Sequence, residues 1–279
     1  MRRGIGIGIG KVLQVFNQTP VYRGSDFLYK TIVKLLKLNF HSWCDIMLNM
    51  KKPQFANDHI YHIYNRGVEK RNIFTNDEDH YRFIHNLFEF NDQDAVLNCA
   101  YYFNRQPTLT GLPDLKKERK PRKLLVEILI FTLMPNHFHL LVRQKKENGI
   151  VKFMQKIGTG YSNYFNKKYE RVGPLFQGRF KAVLVSDDAH FIHLPYYIHS
   201  NPLDLNYGSS TSIEAGKFLE NYKWSSFPDY IGQDNFPSVT SREFLLEFFG
   251  GQERYRKEMI KWIKERNDNI EKIKDITLE

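Results

Sequence analysis

The feature that most constrains the fold of this chain is a pair of apolar segments near its middle, separated by a Pro-Asn break. Residues 124–132 (LLVEILIFT) are β-branched and apolar without a helical stripe, which predicts a buried strand. Residues 138–142 (FHLLV) form a second apolar run, and the intervening Pro135 and Asn136 favour a turn or a bulge. We therefore expect a strand, a turn or bulge, and a second strand.

Two histidines, His137 and His139, lie on this second strand. Because side chains alternate between the faces of a strand, both should face one side and Phe138 the other. Two neutral imidazoles held by a rigid strand suit a divalent metal ion. The His-x-His spacing alone also allows two histidines that are hydrogen-bonded beside a core, so both interpretations stay open at this point.

The net charge is unevenly distributed along the chain. The 279 residues contain 41 Lys and Arg against 31 Asp and Glu, and 42% of them are hydrophobic, enough to bury a core in one or two domains. Residues 1–49 carry seven basic and two acidic residues, which is half of the net charge of +10. An argument for nucleic-acid binding must therefore rest on local clusters. One is residues 116–123 (KKERKPRK), and another is residues 143–181, with ten basic and two acidic residues.

Sequence features that would indicate secretion or a membrane are missing. Cys44 and Cys99 are too few for a disulfide framework or a cysteine zinc site. No apolar run reaches the roughly 18 residues that span a bilayer. Lys11 interrupts the N-terminus before an apolar signal region can form. We expect a cytoplasmic protein without a membrane partner.

The chain divides into three parts by sequence texture. Residues 1–49 contain a Gly-Ile repeat and are predicted to be a disordered or wrongly assigned N-terminal extension. Residues 50–235 form the folded domain, and residues 236–279 a helical C-terminal tail. Within the domain we predict strands at residues 60–65, 124–132, 138–142 and 175–185, helices at residues 81–88, 149–169 and 188–201, and a long loop at residues 91–123.

The last of these helices carries two further candidate residues. It should stop at Asn201, because Pro202 disfavours the helical conformation of the residue before it. Tyr197 and Asn201 stand four residues apart, so they share one helix face. A tyrosine can be a nucleophile, but its usual pKa of about 10 means that it needs a base or a cation nearby. The amide oxygen of Asn201 is a fair ligand for Mg²⁺ or Mn²⁺. A packing tyrosine and a helix-capping asparagine would explain the same residues.

Four motifs in order resemble the REP-associated tyrosine transposases. This family is related to the single-strand insertion-sequence transposases of the HUH endonuclease superfamily. The motifs are residues 61–67 (YHIYNRG), 133–141 (LMPNHFHLL), 176–181 (FQGRFK) and 197–202 (YIHSNP). The run WSSF at residues 224–227, with Tyr230, is similar to a downstream signature of the family. The resemblance covers residues 58–232, and neither the first 50 residues nor those from Thr240 onward match.

The resemblance implies a fold and a set of roles. The fold is α+β, with a central antiparallel sheet of ferredoxin-like type flanked by helices, as in HUH endonucleases. His137 and His139 look like the paired metal ligands, Asn201 like the third ligand and Tyr197 like the nucleophile. The implied activity is the cleavage and rejoining of single-stranded, hairpin-containing DNA through a 5′-phosphotyrosine intermediate. The implied cofactor is a divalent metal, Mg or Mn, and the protein would act as a monomer or homodimer.

The neighbours of Tyr197 on the helix, together with a set of basic residues, complete the predicted site. Tyr196 should point about 100° away from Tyr197 around the helix. His193, one turn earlier, either lines the site or packs, and Pro195 should bend the helix just before the nucleophile. Candidate phosphate contacts are Arg66, Lys70, Arg71, Arg179 and Lys181.

Two alternatives to a tyrosine transposase stay open. The first is a regulator, derived from a transposase, that binds DNA hairpins without cutting them. The presence of all four candidate site residues argues against it. The second is a metal-dependent nuclease that activates water. It requires a carboxylate beside the histidines, and the nearest on that strand pair is Glu127.

Overall fold

The computed structural model describes residues 54–94, 121–186, 188–205 and 211–276. The expectations for residues 1–49, for most of the 91–123 loop, and for Cys44 and Cys99 lie outside these residues. The strands are β1 (Ile60–Arg66), β2 (Val126–Met134), β3 (His137–Gln144) and β4 (Lys181–Leu184). The helices are α1 (Asp77–Glu89), α2 (Gly149–Lys168), α3 (Asp188–Ser200), α4 (Ser212–Asn221), α5 (Phe227–Tyr230), α6 (Glu243–Phe249) and α7 (Gln252–Ile276), with short 3₁₀ turns at Val68–Lys70 and Asn201–Asp204.

The strands form one antiparallel sheet in the order β2-β3-β1-β4. The elements β1-α1-β2-β3-α2-β4 follow one another along the chain, and this succession with this strand order is the ferredoxin-like arrangement. The predicted α+β fold class, a central antiparallel sheet flanked by helices, is confirmed. β3 lies between β2 and β1, so it is the inner strand that the His-x-His motif was predicted to occupy.

Helices cover both faces of this sheet, so the structure has two cores. On one face, α1 and α2 pack against Phe138 and Leu140, with Phe83 and Tyr161 fully buried. On the other face, α3 and the C-terminal helices pack against Leu141. α7 contributes Tyr255, Met259 and Ile263 to this second core, so the C-terminal helices are continuous with the domain. Among the described residues, no helix has the length and apolar character needed to cross a bilayer.

The WSSF segment covers the outer edge of β2. The amide of Leu133 donates to the carbonyl of Trp224 (2.8 Å), and the amide of Ser226 donates to that of Phe131 (2.9 Å). A β-bulge lies between Ile128 and Ile130, and the Tyr230 hydroxyl donates to the carbonyl of Leu129 inside it (2.8 Å). Because an unpaired strand edge exposes backbone donors and acceptors, this segment closes the sheet on that side.

The strand predicted at residues 175–185 is only partly formed. β4 begins at Lys181, and before it Phe176 makes a single bridge with Gly67. The backbone departs from strand geometry at Gly178, whose φ is +155°. This segment therefore lies beside the end of β1 as a loop, and the prediction placed the strand start six residues too early.

A buried histidine on α3 makes the stability of this packing dependent on pH. His199 is fully buried, with Nδ1 2.8 Å from the Tyr255 hydroxyl and Nε2 2.9 Å from the Ser226 hydroxyl. Burial lowers its pKa from 6.5 to about 3, because the charged imidazolium would lose its hydration. At a pH between these two pKa values, His199 is therefore protonated in the unfolded chain but not in the folded chain.

We expect acidification to reduce the free energy of unfolding through this residue. The folded pKa is depressed, so the contribution of His199 is fully present above pH 6.5 and is lost as the pH falls toward about 3. Between pH 7 and pH 5 the expected loss is about 2 kcal/mol. Urea unfolding at several pH values should show a shallower pH dependence for His199→Gln than for the wild type. The exposed residue His59 provides the control, and a His59→Gln curve as shallow as that of His199→Gln would contradict this assignment.

Candidate functional site

The candidate site lies where the start of β3 meets the end of α3. His137 and His139 lie on the sheet face that α3 covers, and Phe138 is buried in the opposite core. Across the neighbouring strand, Arg66 is paired with His137 and Tyr64 with His139. The alternation predicted from the sequence is therefore present, with both imidazoles on one face.

Each of the two imidazoles contacts a polar partner through Nδ1. The ring centroids of His137 and His139 are 5.0 Å apart, with their planes at 84°. Nδ1 of His137 is 2.6 Å from the side-chain oxygen of Asn136. Nδ1 of His139 is 2.8 Å from Nε2 of His62 on β1. These contacts fix the ring orientations at one end of the sheet.

The loop after β1 holds the Pro-Asn turn that carries His137. The carbonyl of Pro135 accepts hydrogen bonds from the amides of Ile73 (2.7 Å) and Phe74 (3.0 Å). Gly67 donates its amide to the carbonyl of Asn136 (2.9 Å), and a Cβ at this position would lie only 2.3 Å from the carbonyl oxygen of Arg71. The YHIYNRG motif thus ends in glycine because two backbone segments approach closely there.

Burial keeps both histidines of the motif neutral at physiological pH. It lowers the pKa of His137 to about 4, and the positive charge of Arg66 acts in the same direction. A side-chain hydrogen bond with Asn201 and the negative charge of Asp204 oppose this shift. Burial also lowers the pKa of His139 well below its usual value. Positive charge on the neighbouring His62 or His137 would lower this pKa further. A neutral imidazole retains a nitrogen lone pair, which is the form that binds a metal ion.

Tyr197 lies against His139 and His62 and is open to solvent. Its ring centroid is 6.1 Å from that of His139 and 6.4 Å from that of His62, with the ring planes at 83° in both cases. Its side chain is 37% exposed, so a substrate can reach it. Tyr196 points into the second core instead, where it stacks on Tyr255. The predicted difference in direction between the two tyrosines is present.

Asn201 comes close to the histidines from the end of α3. The helix ends at Ser200, and Asn201 begins the 3₁₀ turn that contains Pro202. The Asn201 amide nitrogen donates to the carbonyl of Tyr197 (2.8 Å), and its side chain lies close enough to His137 to raise the pKa of that imidazole. The side chain is thus both a helix cap and a neighbour of the imidazole, so the two interpretations of Asn201 are compatible.

Two other residues on α3 have simpler positions. Pro195 lies inside the helix, which continues through it to Ser200. His193 is half-buried, and this burial lowers its pKa. The negative charge of Glu265 on α7 acts against this shift. His193 therefore faces the C-terminal helix.

The donors assembled here are suitable for a divalent cation that accepts both nitrogen and oxygen ligands. The set is the two neutral imidazoles of His137 and His139 and the amide oxygen of Asn201. Among the residues that the structure describes, no group of three or more His, Cys, Asp or Glu side chains could hold a metal ion. A metal site at this position thus needs Asn201 as a ligand, and its occupation stays a prediction.

The predicted DNA-contacting residues divide into two groups. Arg66, Arg179 and Lys181 are exposed, and Lys181 lies opposite Tyr64 with its ammonium 6.0 Å from the centre of that ring. Arg66 and Lys181 share the sheet face of the histidines by alternation. Lys70 and Arg71 lie in the turn after β1, where Arg71 pairs with Glu69 (3.2 Å). Arg66 and Lys181 border the candidate site, whereas Arg71 already has an acidic partner.

Three residues near the site had no predicted role. His62 and Asn136 contact the two motif histidines, and both stand within motif segments. Asp204 is the carboxylate whose charge reaches His137, and Arg266 of α7 binds it at 2.6 Å. Glu127, the carboxylate considered from the sequence, pairs with Arg143 at the other end of the β2–β3 hairpin. Strand alternation would have placed His62 on a face, but only the register of β1 against β3 brings it to His139.

The fold and this site define a ferredoxin-like α+β domain with paired histidines facing a helix-borne tyrosine. The family model described as "Transposase IS200 like" matches residues 115–201, the segment that contains His137, His139, Tyr197 and Asn201. The resemblance to single-strand insertion-sequence transposases that the motifs indicated is confirmed by this match, and over that segment the chain is transposase-like.

Seven chains among the solved structures are similar to this protein. A solved structure of a REP-associated tyrosine transposase bound to a REP hairpin aligns with 70% of this chain and 92% of its own, at 11% identity and a TM-score of 0.42. No curated protein matched the sequence.

Proposed function

We propose that this protein is a DNA transposase that cleaves and rejoins single-stranded, hairpin-containing DNA through a covalent bond to Tyr197. The observation that carries the proposal is the convergence of Tyr197 and Asn201 on His137 and His139, within the segment matched by the transposase family. This convergence supports the proposal because it joins a candidate nucleophile that solvent can reach to a candidate ligand set.

In the proposed reaction Tyr197 is the nucleophile. Its oxygen forms a bond to the phosphorus of the scissile phosphate, and the bond from phosphorus to the 3′ oxygen breaks. The tyrosine proton is lost, and the departing oxygen takes up a proton to become a free 3′-hydroxyl. A 5′-phosphotyrosine bond results, and the 3′-hydroxyl of another strand can reverse the step and rejoin the DNA. Because the bond energy is retained in the protein–DNA link, rejoining needs no nucleotide cofactor.

The remaining site residues position the phosphate and the cofactor. When bound, a divalent ion such as Mg²⁺ or Mn²⁺ supplies positive charge that makes the phosphate more electrophilic. His137, His139 and Asn201 would hold it. Their imidazoles are neutral and oriented through Nδ1 contacts, so they offer lone pairs without a large rearrangement.

The exposed basic residues beside the site support a DNA substrate. Arg66 and Lys181 lie on the face of the histidines, and Arg179 lies in the loop before β4, which runs beside the end of β1. We propose that they contact backbone phosphates, which fixes the strand in register over Tyr197. Lys70 and Arg71, in the turn after β1, are further candidates for the same role.

The direct test is cleavage of labelled hairpin DNA by the purified wild-type chain. Single-stranded oligonucleotides that carry short palindromes from the flanking genomic DNA should be cut in the presence of Mn²⁺ or Mg²⁺. A denaturing gel should show a product with a free 3′-hydroxyl and a slower protein–DNA adduct that disappears after protease treatment. Binding of these hairpins without any cut product would contradict the proposal and indicate a binding regulator.

A further inference from the structure

A third histidine is built into the site beneath the predicted ligands. His62 on β1 is only 1% exposed, and its Nε2 lies 2.8 Å from Nδ1 of His139. The two rings are nearly parallel, with centroids 5.1 Å apart and planes at 20°. In the β1–β3 register His62 faces Leu141, so it reaches His139 along the diagonal.

Aromatic rings surround this histidine pair on two sides. The ring centroid of Tyr64 lies 5.2 Å from that of His62 and 5.8 Å from that of His139, and the ring planes are at 32° and 24° respectively. Tyr197 meets both imidazoles edge-on. Since these contacts restrict rotation of both rings, the hydrogen bond between them has a defined geometry.

A hydrogen bond between two neutral imidazoles contains one proton and has two possible arrangements. If His62 donates from Nε2, then His139 accepts at Nδ1 and carries its own proton on Nε2, which cannot then bind a metal. If His139 donates from Nδ1, His62 accepts and Nε2 of His139 keeps its lone pair. The total charge is the same in both cases.

The neighbouring histidine indicates which arrangement serves the site. Nδ1 of His137 faces the side-chain oxygen of Asn136, which can only accept, so His137 carries its proton on Nδ1. The tautomer of His137 therefore leaves Nε2 as the ligating nitrogen. His139 has the same Nδ1-directed contact, and metal-binding histidines are generally oriented by a partner at the second ring nitrogen.

We propose that His62 is a positioning residue that accepts the Nδ1 proton of His139 and so holds His139 in the tautomer whose Nε2 can bind a divalent cation. The inference rests on the proposed metal-dependent function. It assigns a role to the histidine of the YHIYNRG motif, which lies on a different strand from the ligands. His62 itself would touch neither the cation nor the DNA.

The tautomer can be measured in the metal-free protein. In chains labelled with ¹⁵N-histidine, long-range proton–nitrogen correlation spectra distinguish Nδ1–H from Nε2–H imidazoles, and loss of signals in His139→Gln identifies those of His139. We expect the Nδ1–H form in the wild type and in His62→Gln, whose amide oxygen can accept the same hydrogen bond. His62→Phe keeps a ring but no acceptor, so His139 should shift toward the Nε2–H form. Wild-type His139 in the Nε2–H form would overturn the proposal.

Metal affinity provides the second readout. Titration of the DNA-free protein with Mn²⁺, followed by the electron paramagnetic resonance signal of the free ion, should show binding weakened by about 10–100-fold in His62→Phe. His62→Gln should recover most of this loss. Equal weakening in His62→Phe and His62→Gln would show that His62 acts by packing alone, and would overturn the proposal.

A packing control separates this role from general disturbance of the site. Tyr64→Leu removes the ring that stacks on both histidines but leaves both imidazoles in place, so it should keep the Nδ1–H form of His139. Loss of that form in Tyr64→Leu would overturn the assignment to His62. Failure of the wild type to bind Mn²⁺ would count against the proposed metal-dependent function, whereas the tautomer of His139 still decides whether His62 is the acceptor.

Discussion

Replacing Tyr197 by phenylalanine should abolish both DNA cleavage and the covalent protein–DNA adduct while hairpin binding stays nearly unchanged. The substitution removes only the hydroxyl oxygen that forms the bond to phosphorus. Loss of a nucleophile that works together with its neighbours lowers turnover by as much as about 10⁶-fold in other enzymes, so no product should be visible. The ring that lies over His139 and His62 remains, and with it the packing of the site.

The adjacent tyrosine provides a matched control. Tyr196 is on the same helix, but it is 3% exposed and stacks on Tyr255 in the second core. Tyr196→Phe should therefore cleave like the wild type, apart from a small loss of stability. Denaturing gels measure cut product and adduct, and binding is followed with the same hairpin by fluorescence anisotropy. Full cleavage by Tyr197→Phe would instead favour a nuclease that activates water.

Local sequence rules were sufficient for the parts of the site that depend on one element. Alternation along β3 places His137 and His139 on one face, and Pro202 ends α3 at the residue before Asn201. Tyr197 and Asn201 are four residues apart, which puts them on one side of the helix. The side-chain amide of Asn201 donates a hydrogen bond to the carbonyl of Tyr197. Each of these outcomes follows from backbone geometry within a few residues.

The meeting of these elements could not be derived from local rules. The distance between Tyr197 and His139 depends on how α3 lies across the sheet, which its apolar side chains Leu194 and Ile198 determine by packing in the second core. Propensity says nothing about that crossing. The family resemblance indicated that α3 and β3 meet, because the order of the motifs implies that they share one site. The periodicity of each element alone does not imply this.

Long-range register was the other missing quantity. His62 belongs to a segment whose sequence predicts a strand, but its neighbour across the sheet is set by the pairing of β1 with β3. The shorter β4 has a related cause, since the backbone at Gly178 leaves the sheet after one bridge at Phe176. Pairing partners depend on the whole fold, so the sequence of one strand does not reveal them.

The ligand role of His137 leads to the second large effect. His137→Ala should reduce cleavage by on the order of 10²-fold or more at a fixed Mn²⁺ concentration, because the electrostatic support of the attacked phosphate is lost while Tyr197 is still present. Removal of this imidazole also takes away the neighbour of Asn201 in the predicted ligand set. Both changes weaken cation binding.

Metal titration separates this loss from the loss of the nucleophile. A chelator should stop the wild type, and added Mn²⁺ or Mg²⁺ should restore it. His137→Ala should regain part of its activity at high Mn²⁺ because His139 and Asn201 remain, whereas Tyr197→Phe should stay inactive at every concentration. His193→Ala is the histidine control on α3. Since His193 faces Glu265 of α7, this variant should need no more Mn²⁺ than the wild type. If His137→Ala cleaved at the wild-type rate in chelator, the two histidines would be structural and the metal-dependent mechanism would be wrong.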